Sequence, residues 1–309
     1  MQNVIKDEVK VTVGICVKNS EDLIKGAIDS VLNQDFPHSS VELIIVDGNS
    51  TDKTLEIIQE NLSNSDFKVQ IFTENIGLGK ARQIVVDNAR GEYIVWVDAD
   101  MILSKSYLFK QVSFMDDNPR IGIGAGKYAV HIGNGVVADL ENVVYAVDSV
   151  YGEKSASDLG YLPGTEGSIF RVKAIRQVGG FDVYMNGAAE DTDVAYRLRS
   201  RGWEVLVTNA QFAEFTRQSW SSLWNQYFWW GRGGHFVFHK NKNAISLWKM
   251  TPIGGFFAGV LRTPKSYLLV RKKFVFLLPI HYTYKRTAWL FGFLRAHQEG
   301  YGHFEKSVR

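Results

Sequence analysis

In the first hundred residues, short β-rich runs alternate with segments whose apolar positions recur every three or four residues. Val11 to Val17 is the first such run. Leu23, Ala27 and Val31, with Ile24, Ile28 and Leu32, then repeat at helical spacing, and Ser20 is the expected cap with Glu21 and Asp22 in the first turn. Val41 to Val46 is apolar apart from Glu42, the mark of a strand buried on both faces. Asp47 to Thr51 reads as a turn into a helix carrying Leu55, Ile58 and Leu62. Val69 to Thr73 predicts a strand, Leu78 to Asn88 a helix, and Tyr93 to Val97 another buried strand. Alternation at this spacing predicts an α/β fold with a doubly wound, mostly parallel sheet and helices on both faces. Functional groups then belong just past the carboxyl ends of the strands.

The middle is less regular. Strands are expected at Ile121 to Ala125, Ser168 to Arg171 and Glu204 to Thr208, and helices at Ala138 to Tyr151 and Glu190 to Arg201. Gly160 to Gly167 reads as a loop and Gly179-Gly180 as a break. Beyond Leu223 the apolar stretches are short. Pro252 to Leu261 is closed by Arg262 and Pro264, and Phe274 to Tyr284 holds Pro279 and His281. Crossing a bilayer takes roughly 18 or more apolar residues, so these stretches suit a membrane surface better than a membrane span.

Charge sharpens the contrast between body and tail. The 309 residues carry 35 Lys and Arg against 33 Asp and Glu, a net +2 that argues against a nucleic-acid binder. From Arg232 onward, however, the chain is +12, and the first 231 residues are −10. Seven of the eight tryptophans also lie at or after Trp203. Between about Ser246 and Arg295 the aromatics Trp248, Phe256, Phe257, Tyr267, Phe274, Phe276, Trp289, Phe291 and Phe293 mix with Leu261 and Leu268 and with the basic pairs and triplets Arg271-Lys272-Lys273 and Lys285-Arg286. That mixture predicts an amphipathic, basic-aromatic helical tail for an anionic membrane surface; packing on protein, or a homo-oligomer interface, is the alternative. The single cysteine, Cys16, forms no internal disulfide, and Met1 to Lys10 has no apolar signal core, so a cytosolic location at the membrane face is expected.

The candidate chemistry is acidic. Asp98 and Asp100 follow a buried strand with one residue between them, and two carboxylates so placed can reach one Mg²⁺ or Mn²⁺; the plain alternative is a loop cap and a solvated Asp. Asp47 holds the same place after the second strand, as an acceptor for a base or ribose or as an Asx turn. Glu190-Asp191 opens a helix after Asn186-Gly187-Ala188-Ala189, as a cap or as a general base, with Asp193 assigned to the helix surface. Arg232 sits among Trp229-Trp230-Gly231 and Gly233-Gly234, where a guanidinium could fork a diphosphate or simply occupy a glycine turn. His235 and His239 are four apart without the intervening Glu of HExxH and read as non-metal residues. Phosphate loops are missing. The third glycine that Gly77-Leu78-Gly79 would need falls at Arg82.

Taken in order, VTVGICVKNSEDL, ELIIVDGNSTDKT, ENIGLGKARQIVVDNARGEYIVWVDAD, GSIFRVKAIRQVGGFD, AEDTDVAYRLRSRGWEV and YFWWGRGG resemble glycosyltransferase family 2 proteins with a GT-A fold. The likeness runs over about residues 10 to 235. It implies an inverting, metal-dependent transfer from a nucleotide-diphosphate sugar, with a catalytic domain at 1–235 (a nucleotide-sugar half to about 125, an acceptor half after it) and the tail at 236–309. By that resemblance Asp47 contacts the nucleobase, Val17, Asn19, Glu21 and Lys80 lie along the nucleotide sugar, and Asp98 meets ribose or metal. Asp100 holds metal and diphosphate, Asp191 beside Glu190 supplies the base, and Arg232 faces the diphosphate. Two departures stand out. Cys16-Val17-Lys18-Asn19 replaces the usual Pro-Thr-Tyr-Asn, leaving Lys18 to face a phosphate. The QxxRW motif of processive synthases survives only as Gln218-Ser219-Trp220.

The expected acceptor is a hydroxyl of a glycan or lipid-linked glycan. The runner-up is a polyprenyl-phosphate glycosyl synthase, in which a phosphate acceptor needs no base and Asp191 positions the sugar. A catalytically silent nucleotide-sugar-binding scaffold is the reading from another class, and both acidic pairs speak against it.

Overall fold

The computed structural model describes residues 8–63, 65–151, 162–185 and 188–301. Among the described residues eight strands form one sheet: β1 (Val11–Val17), β2 (Val41–Asp47), β3 (Lys68–Thr73), β4 (Tyr93–Trp96), β5 (Met101–Leu103), β6 (Ile121–Ile132), β7 (Ser168–Arg171) and β8 (Glu204–Phe215). The helices are α1 (Ile24–Leu32), α2 (Thr54–Leu62), α3 (Leu78–Asn88), α4 (Tyr107–Asp117), α5 (Val136–Tyr151), α6 (Val172–Gln177), α7 (Glu190–Ser200), α8 (Trp220–Lys240), α9 (Pro252–Val270) and α10 (Leu278–Gln298). The strand order is β3-β2-β1-β4-β7-β6-β8-β5. The sheet is mixed. β3, β2, β1 and β4 run parallel, whereas β7 pairs antiparallel with both β4 and β6, and β5 antiparallel with β8. The expected parallel character is thus confined to the half built from strand–helix alternation.

The chain divides into two compact units, residues 1–129, 155–186 and 194–214 in the first and 130–154, 187–193 and 215–309 in the second. This differs from a boundary at 235, a position that lies inside the continuous helix α8.

In the first unit the two-residue period of the strands sorts the core. Val11, Val13, Ile15 and Val17 of β1, with Leu43 and Ile45 of β2, face α1, α2 and α4. Ile44 and Val46 of β2, with Ile94 and Trp96 of β4, face α3, α6 and α7. Every residue of β2 is buried, including Glu42, whose carboxylate accepts from Thr12 Oγ1 and Arg90 Nε. The order β3-β2-β1-β4 also creates a switch point. The chain moves outward from β1 through β2 to β3, then returns to β4 on the other side of β1, so the crevice between the ends of β1 and β4 is open to a ligand.

The second unit is mainly helical. α8 and α10 pack through glycines: a Cβ on Gly231 would lie 1.9 Å from the Trp289 carbonyl, and one on Gly292 would lie 1.9 Å from that of Phe228. The glycine-rich stretch from Gly231 to Gly234 is therefore helix interior, not a phosphate-binding turn. Glycine there costs about 1 kcal/mol of helix propensity relative to alanine, which the close backbone approach offsets. α9 runs through Pro264 to Val270 instead of stopping before it, and Pro279 falls in the first turn of α10, where proline is tolerated.

An ion pair is sealed inside this unit. Lys285 Nζ of α10 lies 2.6 Å from Glu141 Oε1 of α5, with His281 Nε2 3.0 Å from the same oxygen. Lys285 also sits over the rings of Tyr227 and Tyr282. Burial alone would raise the Glu141 carboxyl, but the Lys285 charge and His281 outweigh it and hold it at about 2. Burial keeps His281 below its ordinary value and so neutral near pH 7. Because the folded carboxyl titrates below its ordinary 4.5, the pair's contribution is complete above that pH and is lost as pH falls toward about 2. Glu141→Gln should therefore cost about 3–5 kcal/mol at pH 7 by leaving a buried ammonium unpaired. Adding Lys285→Met should recover most of the loss. Urea unfolding at pH 7 and at pH 3 checks this, and the single variant's deficit should shrink at the lower pH.

Candidate active site

The loops after β1 and β2 are fastened to each other by the side chains expected along a nucleotide. Asn19 takes a left-handed φ of 49°, its Oδ1 accepts from the Thr51 N–H at 2.8 Å, and its own N–H donates to Ser50 Oγ at 2.9 Å. Ser50 Oγ in turn donates to Asp47 Oδ1 at 2.6 Å, and the Ser50 N–H donates to Asp47 Oδ2 at 3.0 Å. Glu21 Oε2 accepts from the Lys53 N–H at 2.9 Å. Val17 closes the set, its carbonyl accepting from Gly48 N–H at 2.8 Å. Asn19, Glu21, Val17 and Asp47 are thus brought together. Asp47, only 2% exposed, makes the Asx-type turn that its position allows. Each of its oxygens retains a further acceptor site in principle. Ser50, which joins Asn19 to Asp47, was not singled out from the sequence. Its signal is the place it holds in DGNST.

These tethers move the start of α1. Ser20 does not cap a helix: its N–H donates to Thr54 Oγ1 at 2.7 Å, and α1 begins at Ile24 without a side-chain cap. Residues 19–21 are committed to the neighbouring loop, and the helix waits until they have passed.

Asp98-Ala99-Asp100 turns from β4 into β5, closed by the Met101 N–H donating to the Asp98 carbonyl at 3.1 Å. The Asp98 side chain is 37% exposed, and its Oδ1 lies 3.6 Å from Nη2 of Arg82. Arg82, on α3, is buried and stacks its guanidinium 6.0 Å from the rings of both Trp96 and Phe181. It is a site residue the sequence reading passed over, because it registered there only as the failed third glycine of a dinucleotide motif. Gly79 has a different duty. A Cβ there would strike the Asp182 carbonyl at 2.3 Å, so the glycine admits the 182–185 backbone against α3. Lys80, half-buried in the first turn of α3, completes the set drawn from this helix. Cys16 keeps some exposed surface, yet desolvation of its sulfur pushes the thiol up to about 12, with Arg82 opposing and Asp98 and Glu74 adding. It is a poor nucleophile at neutral pH.

Glu190, Asp191 and Arg232 belong to the second unit. Asn186 and Gly187 of the stretch before α7 lie outside the described residues. Glu190 is 1% exposed, whereas Asp191 is half-buried and accepts from the Thr192 N–H at 2.6 Å. Asp193, expected on the helix surface, is fully buried. Lys240 Nζ donates to its Oδ2 and Asn241 Nδ2 to its Oδ1, both at 2.9 Å. It fastens the start of α7 to the end of α8, which a helical count from Glu190 alone does not show. Gly233 assists, since a Cβ there would lie 1.9 Å from the Ala188 carbonyl. Arg232 projects from α8 rather than from a loop. Its Nη2 lies 2.7 Å from Glu299 Oε2, and its guanidinium lies 5.9 Å from the Tyr301 ring.

Chemically, the first unit offers two carboxylates on one half-buried turn beside a buried guanidinium, at the end of a parallel strand. Oxygen donors of this hardness fit Mg²⁺ or Mn²⁺. The second unit offers a partly exposed carboxylate at a helix start.

Comparison with known proteins agrees with this architecture. The sequence model described as Glycosyl transferase family 2 matches residues 12–177. A poly-beta-1,6-N-acetyl-D-glucosamine synthase of Staphylococcus epidermidis is 27% identical over 224 residues, which is 71% of this chain and 53% of the relative. The chain thus spans about half the length of the curated relatives it matches. Among solved structures, the mannosyltransferase PcManGT of Pyrobaculum calidifontis, in complex with GDP-Man and Mn²⁺, aligns with a TM-score of 0.66 at 17% identity, covering 94% of this chain and 87% of that one. S. aureus TarS in complex with UDP-GlcNAc aligns at 0.56 and 18%, covering 94% and 92%. At these identities the structures attest the GT-A fold alone. With the family match spanning more than half of the sequence, the chain belongs to glycosyltransferase family 2.

Proposed function

We propose that this chain transfers a sugar, with inversion, from a nucleotide-diphosphate sugar to a hydroxyl of a glycan or lipid-linked glycan, with Mg²⁺ or Mn²⁺ as cofactor. The observation that carries the reading is the Asp98–Asp100 turn at the carboxyl end of β4, beside the β1/β4 switch point. The relatives support the substrate class: one is named for making a poly-N-acetylglucosamine, and two structural neighbours hold UDP-GlcNAc or GDP-Man.

Each group has a task. Asp47 and Asn19, held by Ser50, present acceptors and a backbone turn to the nucleoside, with Val17 and Glu21 fixing that turn. Lys80 and Arg232 supply positive charge toward the diphosphate, for which Arg232 exchanges its Glu299 partner. Asp98 and Asp100 would hold the cation, which when bound would supply positive charge for the departing diphosphate. Arg82 lies against the Asp98 carboxylate and orients it. Asp191 takes the acceptor proton as the oxygen attacks the sugar carbon from the face opposite the leaving group, and buried Glu190 shapes the helix start that presents it.

Two variants test this together. Asp100→Asn should abolish nucleoside diphosphate release while leaving circular dichroism unchanged, because an amide holds a hard cation poorly. Asp191→Asn should lower kcat by roughly 10²–10⁴ with little change in donor affinity. A much smaller loss would favour a lipid-phosphate acceptor. Full activity of Asp100→Asn, or wild-type activity in excess chelator, would overturn the metal assignment.

The same reading includes attachment to an anionic membrane surface at the cytosolic face. α9 is turned inside out. Its small residues Gly255, Gly259 and Ser266 are buried, and Ile253, Phe256, Phe257, Val260, Leu261 and Leu268 are exposed, Leu261 by 76%. Phe276 and Ile280 extend the apolar face, and the exposed triplet Arg271-Lys272-Lys273 lies between them and α9. Exposed apolar residues grouped in this way mark a partner surface, and the adjoining cations suit anionic headgroups. Trp289 is not part of it, being buried against Gly234. Among the described residues no helix is long and apolar enough to cross a membrane. The full chain should sediment with phosphatidylserine vesicles and less so with neutral ones. Changing Arg271, Lys272 and Lys273 to Glu should weaken sedimentation, and Phe257→Asp with Leu261→Asp should abolish it. Protein that stays in the supernatant with every anionic vesicle, or that forms a dimer dispersed by Leu261→Asp, would refute membrane attachment.

A further inference from the structure

Three imidazoles converge where the C-terminal ends of α8 and α10 are packed side by side. His235 and His239 lie one helical turn apart on α8, and His297 is in the last turn of α10. One ring nitrogen from each falls within 4.8 Å of the others. His235 is fully buried, and His239 and His297 reach the surface.

The central ring is set up as a ligand. His235 Nδ1 lies 2.6 Å from the Tyr301 carbonyl oxygen, to which it donates. That hydrogen bond puts the proton on Nδ1 and directs the lone pair of Nε2 toward His297, whose Nδ1 is 3.2 Å away. Metal-binding histidines characteristically donate their other ring nitrogen to a carbonyl or carboxylate in this way. The His235–His297 spacing of 3.2 Å also matches. With zinc–nitrogen bonds of about 2.0–2.1 Å, the edge of a tetrahedron is about 3.3–3.4 Å. The carriers are held firmly, because the glycine contacts between α8 and α10 fix the distance between the helices. The Phe293 ring, 4.8 Å from that of His235, covers one side.

We propose that His235, His239 and His297 bind a divalent d-block cation of the zinc class, through three nitrogens and with the fourth position open to water. Imidazole donors select zinc, copper, nickel or cobalt over the hard Mg²⁺ and Mn²⁺ suited to Asp98 and Asp100. The two sites therefore differ in residues, in donor atoms and in preferred metal. The bound cation clamps the last turn of α10, and the Tyr301 turn after it, to α8. This inference does not depend on the transfer reaction.

The test uses the untagged full chain, stripped with chelator and titrated with Co²⁺ and then Zn²⁺. The wild type should show the intense visible bands of tetrahedral cobalt at one equivalent, and zinc should displace them. His239→Ala and His297→Ala, chosen because both side chains are exposed, should each weaken cobalt binding by more than about 10-fold, since loss even of a supporting partner costs about 10–100-fold. Asp100→Asn should retain the bands. Circular dichroism shows whether each variant is folded. Weak octahedral bands in the wild type, or folded His239→Ala and His297→Ala variants that bind cobalt as the wild type does, would overturn the assignment and leave a hydrogen-bonded imidazole trio.

Discussion

β1 is bonded in parallel to β2 on one side and β4 on the other, and the rest of the candidate donor site depends on that arrangement. The register sets Val17 opposite Asp47 and Gly14 opposite Trp96, so the chain leaves all three strands at the same edge. Backbone geometry thereby delivers Asn19, Asp47 and Asp98 to one rim. Side chains then finish the job. Asn19, Glu21 and Ser50 fasten the first two loops, and Arg82 sits under the third with its charge against Asp98. A buried guanidinium stacked on Trp96 and Phe181 ties that charge to the hydrophobic core between α3 and β4.

The second unit solves a different problem. Its helices carry few acids and many aromatics, and α8 and α10 approach closely through glycine, with Trp220, Trp224 and Tyr284 packed alongside. Close approach brings polar groups inside, where each needs a partner. Glu141 has Lys285 and His281, and Asp193 has Lys240 and Asn241. The Asp193 contacts anchor the first turn of α7, the turn that also carries Asp191. α9 is the exception, with small residues inward and large ones outward.

What the sequence made legible follows from range. β1, α3 and β7 agree with their expected limits, since two-residue and three-to-four-residue periods are local signals. The places of the acidic pairs, after a strand and at a helix start, were equally visible. Long-range packing was not. β6 and β8 extend well beyond the segments expected, to Ile132 and Phe215, because neighbouring strands sustain polar and glycine-containing stretches. Glycines 231, 233 and 234 read as a loop until α10 and the Ala188 backbone are seen against them. His235 and His239 looked inert, since His297, which completes the cluster, is 62 residues farther along than His235. Arg82 and Asp193 were likewise hidden, the one behind a failed motif and the other behind a helical count.

The central claim is that the rim formed by the ends of β1, β2 and β4 binds a nucleoside diphosphate through a cation. Calorimetric titration of the purified chain with UDP and with GDP, each with and without Mn²⁺, tests it directly. The account predicts saturable binding of at least one of them that needs Mn²⁺ and is lost when Asn19 is changed to Ala, which unfastens the first two loops. Metal-independent binding, or no binding of either nucleotide to folded protein, would contradict it.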